Sequence, residues 1–154
     1  MGNDVEKKND LERARQMLAE QELTCALILG EEVYISKERG VKPLLDCYYE
    51  KKMPAGFSAA DKVVGKAAAF LYVLLGAKEL YTDVLSRPAL DVLRQHDIMV
   101  AYGQLTDAIR NRTNTGFCPM ETAVRSVEEP KEALDRIEKT KLSLQKEALL
   151  KGEK

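Results

Sequence analysis

Cys118, Pro119 and Glu121 close the segment Asn111-Arg112-Thr113-Asn114-Thr115-Gly116-Phe117-Cys118-Pro119-Met120-Glu121. Proline suits the first position of a helix, so Cys118 reads as an N-cap and Glu121 as the third helical residue. A thiol at a helix N-terminus has a lowered pKa and can act as a nucleophile. That chemistry needs an acid or base within reach, for which Asp61 and Glu121 are the candidates. Arg112 can grip a phosphate or carboxylate through two N–H groups. Asn111, Thr113, Asn114 and Thr115 add polar contacts. The same stretch also reads as an ordinary polar loop with a small, inert Cys118 at its end.

A second group lies upstream. Ser58, Asp61, Lys62, Gly65, Lys66 and Ala69 recur at helical spacing within a long apolar run that ends at Gly76. The pattern predicts one helix from Ser58 to Leu75, capped by Ser58, with these residues as a polar stripe. Lysines beside the free N–H groups of a first turn make an anion site. Gly65 in mid-helix costs about 1 kcal/mol against alanine and lets something approach the backbone. In this reading Ser58, Lys62, Gly65 and Lys66 wall a pocket for a phosphate or carboxylate. The alternative is a capping pair, a packed glycine and two solvated lysines.

The rest of the chain must position these groups. Asn9 to Glu20 predicts a helix in which Asn9 and Glu12 form a capping box. Thr24 to Leu29 and Val33 to Ile35, joined through Gly30-Glu31-Glu32, predict a hairpin. Val41, Leu44, Leu45 and Tyr48 follow helical spacing. Strands are predicted at Glu79 to Leu85 and Ile98 to Tyr102, and short helices at Pro88 to Gln95, Leu105 to Arg110 and Pro119 to Ser126. Pro130 to Lys151 predicts a charged helix. Strands alternating with helices imply an α/β domain with helices on both sheet faces. The expected organisation is an N-terminal helical extension over 1–22, an α/β domain over 23–127 and a C-terminal charged helix over 128–154.

Composition narrows the function classes. The chain has 154 residues, 45% hydrophobic and 32% charged, with a net charge of -1. That balance gives no basic field for nucleic acid or an anionic membrane, and no apolar run reaches the roughly 18 residues of a membrane span. Three cysteines and one histidine fit neither a disulfide framework nor a closed zinc site; a reducing cytoplasm is expected. Cys25 and Cys47 read as structural. His96, between a helix and a strand, reads as a turn residue. Arg39, after the hairpin, either reaches a ligand or sits in a solvated turn.

The chain resembles the DUF1893 family of small bacterial and archaeal proteins. The resemblance rests on Thr24-Cys25, on Glu38-Arg39-Gly40-Val41-Lys42-Pro43-Leu44-Leu45-Asp46, and on the stretch from Gly56-Phe57-Ser58 through Asp61-Lys62-Val63-Val64-Gly65-Lys66 to Ala69. It also takes in Asn111-Arg112-Thr113 and Cys118-Pro119-Met120-Glu121. It spans Leu23 to Ile137. It implies a fold similar to cytidine deaminases, a three-layer α/β/α sandwich around a mixed sheet, with a pocket at the ends of two helices. Zinc deaminases carry H-x-E and P-C-x-x-C there. The matching helix starts here are Ala59-Ala60-Asp61 and Phe117-Cys118-Pro119-Met120-Glu121. The resemblance implies that Asp61 stands in the place of the catalytic glutamate, Cys118 in that of the first cysteine and Glu121 in that of the second. The histidine ligand is missing at Ala59, which implies a zinc-free site and no cofactor.

The expected function is therefore a deaminase-like domain that has lost its zinc and binds an anionic, nucleotide-like small molecule. The rival readings are a transferase or hydrolase using Cys118, and a non-catalytic protein that forms homo-oligomers or binds a partner.

Overall fold

A computed structural model describes residues 9–109 and 118–152. The first helix among the described residues, α1 (Asp10–Glu20), starts as the capping box predicts: Glu12 N donates to Asn9 Oδ1 at 2.8 Å and Asn9 N to Glu12 Oε1 at 3.2 Å. Strands β1 (Cys25–Leu29) and β2 (Glu32–Ser36) form the hairpin. Gly30 turns it with φ of +61°, a left-handed value that favours glycine. Helix α2 (Lys42–Glu50) carries Pro43 in its first turn, where the missing N–H is harmless.

The long helix predicted from Ser58 to Leu75 is two elements. Ser58–Val64 is strand β3, and helix α3 runs from Lys66 to Leu75. Gly65 is the joint between them and Gly76 ends the helix, with φ of +87°. The physical reason is burial on both faces. β3 is a central strand, antiparallel to β1 and parallel to β4 (Glu79–Ser86). A strand covered on both sides is apolar without alternation, so it merges by pattern with an apolar helix that follows one residue later. The polar stripe from Ser58 to Ala69 is accordingly no helix face.

Helix α4 (Arg87–Gln95) begins on Ser86, whose Oγ accepts from Ala89 N at 3.2 Å. Strand β5 (Met99–Thr106) is parallel to β4. It runs through Leu105 and Thr106, so the predicted helix from Leu105 to Arg110 is not formed in its first residues. Pairing with β4 at Leu85 and Ser86 holds them extended. Helices α5 (Pro119–Ala123) and α6 (Pro130–Leu150) follow.

The result is an α/β fold: a mixed five-stranded sheet in the order β2-β1-β3-β4-β5 with helices on both faces. On one face Ala14 and Leu18 of α1 pack on Ala26, Ile28 and Ala60. On the other, Phe70, Leu71 and Tyr72 of α3 pack with Leu27, Ala59, Leu80 and Leu93. α6 lies on the outside of α3, through Ala133 and Ile137. Among the described residues no helix is long and apolar enough to cross a membrane.

Candidate functional site

The parallel strands β3 and β4 are each followed directly by a helix, α3 and α4. In such units, ligands bind beyond the carboxyl ends of the strands. Two cavities lie there, of about 680 Å³ and about 280 Å³.

Asp61 is the buried carboxylate of the larger cavity, with 9% of its surface exposed. It sits in β3 beside Cys25 of β1 and Thr82 of β4. Its Oδ2 accepts from the Tyr72 hydroxyl at 2.6 Å, and its Oδ1 from Val63 N at 3.3 Å. Burial pushes its pKa up to about 6, against the opposing pull of the Tyr72 hydroxyl and the Val63 and Lys62 amides. Asp61 does not start a helix, as the likeness to the H-x-E motif requires; α3 begins five residues later.

Strand alternation turns Lys62 to the opposite face, where its Nζ is 3.6 Å from Asp83 Oδ2. Lys62 still borders the larger cavity. Ser58 lies at the far end of β3, buried, with its Oγ donating to Glu79 Oε2 at 2.6 Å. Ser58 is thus remote from the strand end that carries the cavities.

Gly65 is the N-cap of α3 and has no side chain to offer the free amides of the first turn. Glu121 supplies it from α5. Its Oε1 accepts from Lys66 N at 2.6 Å and its Oε2 from Ala67 N at 3.0 Å. A Cβ on Gly65 would stand 2.5 Å from Glu121 Cδ. The close approach expected at Gly65 is real, but the visitor is the chain's own carboxylate. It occupies the helix N-terminus that the sequence offered to a ligand. Burial raises the Glu121 pKa, while the two amides pull it down. Lys66 is also engaged: its Nζ donates to Arg125 O at 2.9 Å and lies over the Phe70 ring.

Cys118 is half-buried and is the N-cap residue of α5 as predicted, with Pro119 first and Glu121 third. Its amide donates to Ile109 O at 3.2 Å. It lines neither cavity. The candidates Asn111, Arg112, Thr113, Asn114 and Thr115 lie outside the described residues.

The walls of the larger cavity also include residues that sequence reasoning did not place there. Val41 and Leu44, entering α2, make an apolar side, with Thr24 just before β1, Cys25 in β1 and Ile109 beyond β5. Burial pushes the Cys25 thiol far above its ordinary value, so it is a poor nucleophile. Arg39 stands at the rim, exposed, with no ion pair among the described residues. Tyr72, which anchors Asp61, had one sequence signal: a hydroxyl in the otherwise apolar run Phe70 to Leu75. Among the described residues no three His, Cys, Asp or Glu side chains gather as metal ligands.

Residues 13–140 match the family model described as a domain of unknown function, DUF1893. No curated protein matches the chain. Among solved structures, a DUF1893 family protein from Thermotoga maritima is similar, with a TM-score of 0.75 and 24% identity over 91% of each chain. That likeness shows a common fold. With the family model covering most of its length, the chain belongs to the DUF1893 family.

Proposed function

We propose that the chain binds a small, anionic, nucleotide-like molecule in the larger cavity. The observation that carries this reading is the cavity's composition. About 680 Å³ lies within the range of small-molecule sites. Apolar walls from Val41, Leu44 and Ala68 flank a buried acceptor, Asp61, while Arg39 stands at the mouth. A base-like ring would lie on the apolar walls and donate to Asp61, and a phosphate would meet Arg39.

The proposal also takes the fold as deaminase-like without zinc chemistry. Supporting this, the smaller cavity lies between the starts of two helices, at Lys66 of α3 and at Pro88 of α4 with its N-cap Ser86. The donor set does not fit zinc. Asp61 is held by Tyr72, and Glu121 is held by the amides of α3.

Thermal shift and calorimetric titration with adenosine and uridine 5′-monophosphates, with inorganic phosphate as control, test the reading. At least one nucleotide is expected to raise the Tm and phosphate alone to do so far less. Arg39→Ala should weaken binding by about tenfold, the worth of one charge-assisted contact. Lys66→Ala should leave it nearly unchanged. No response to either nucleotide at millimolar concentration overturns the reading.

A further inference from the structure

We propose that two copies of this chain pair through the outer edge of β2, joining their sheets into one ten-stranded sheet. β2 is an edge strand: among the described residues, β1 is the one strand it pairs with. An open edge presents unpaired N–H and C=O groups, and stable monomers blunt it with charge, proline or a bulge. β2 has no proline, and its one charged residue, Glu32, is at its first position. Leu29 and Glu32 close a two-residue turn, so the alternating ladder leaves the backbone groups of Val33 and Ile35 on the outer side.

The sequence around the edge is self-complementary. An antiparallel pair centred on Tyr34 sets Val33 opposite Ile35 of the second copy, and Glu31 opposite its Lys37. Val33 and Ile35, both within β2, fall on one face of the joined sheet; Glu31, in the turn, and Lys37, just past the strand, flank them. That face is the α1 side, since Val33 and Ile35 pair with Ile28 and Ala26, which pack under α1. Val33 and Ile35 are 44% and 42% exposed, so two large apolar side chains stand open to a partner on that face. Glu31 and Lys37 are exposed and make no ion pair among the described residues. A two-fold axis through Tyr34 uses each contact twice: two apolar pairs and two ion pairs. Because the same patch serves both copies, the assembly closes as a dimer. The opposite edge, β5, carries no charged residue to fix a register.

Sedimentation equilibrium of the full chain tests this. The expected mass is twice the chain's 17.3 kDa. Ile35→Lys places a charge in the junction and is expected to give a monomer with an unchanged circular dichroism spectrum. Glu31→Lys and Lys37→Glu, each alone, set like charges opposite one another and should weaken the dimer by about tenfold. Glu31→Lys combined with Lys37→Glu restores opposite charges and should return affinity to within about threefold of the starting chain. A monomer at high micromolar concentration overturns the proposal. So does a dimer that Ile35→Lys leaves intact, or one that the two single reversals and the double reversal affect alike.

Discussion

Gly65→Ala is expected to destabilise the fold by about 2 kcal/mol, as is Glu121→Ala, while the double variant should lose little more than either one. The new Cβ would fall 2.5 Å from the Glu121 carboxylate carbon. A glutamate end can swing away at small steric cost, so overlap itself is not the main loss. The loss is the cap, because a displaced carboxylate no longer accepts from Lys66 N and Ala67 N. Removing a side-chain cap costs about 1 kcal/mol, and hydrogen bonds to a charged group are stronger than most. Glu121→Ala removes the same two bonds without touching Gly65. The paired residues therefore act as one interaction, and a double-mutant cycle by urea denaturation should show strong coupling. Additive losses would mean that Gly65 is needed for something other than the approach of Glu121.

The second large effect is a pH dependence that runs against the usual acid denaturation. Asp61 has a folded pKa of about 6, above its ordinary 3.8, because it is buried. The folded chain therefore holds this proton more tightly than the unfolded chain. Between those two values the folded state binds more protons, so raising the pH through that window costs stability. The full penalty, about 3 kcal/mol, is present above pH 6 and absent below pH 4. Asp61→Asn keeps an acceptor for Tyr72 and removes the titration. The difference in stability between Asp61→Asn and the starting chain should grow in favour of the asparagine from pH 4 to pH 7. Denaturant midpoints at several pH values measure it, and subtraction removes the other carboxylates. A difference that stays flat with pH would show that Asp61 is ionised throughout.

Local signals in the sequence carried well where the deciding contacts are themselves local. The Asn9–Glu12 box, the Gly30 turn, Pro43, the Gly76 stop and the Cys118-Pro119 helix start are all made by residues close in the chain. The helix from Ser58 failed because its first half owes its form to distant neighbours, β1 and β4. Once Ser58–Val64 is a strand, Asp61 and Lys62 face opposite sides instead of sharing a stripe. Asp61, Lys62 and Gly65 still meet at one cavity, since all belong to the same strand end. The partner of Gly65 could not be read from spacing. Glu121 looked like a group for chemistry, and its two oxygens bind backbone amides 54 and 55 residues away. Arg39 and Val41 reach the cavity only through the packing of α2 beside α3.

The origin of that carboxylate has a consequence for the birth of the protein. During synthesis the β3–α3 unit leaves the ribosome well before Glu121 does, and until then the first turn of α3 has no capping group of its own. Domains emerge from their N-terminal end at roughly 5–20 residues per second, so for several seconds the central helix of the fold is held by apolar contacts and the Tyr72–Asp61 hydrogen bond, without its cap. The cap arrives only with the short helix α5, and α6 then covers the outside of α3. A nascent chain stalled just before Met120 should therefore be more open to proteolysis around Gly65 than one stalled past α6. The segment that closes the candidate site is also the one that completes the scaffold behind it.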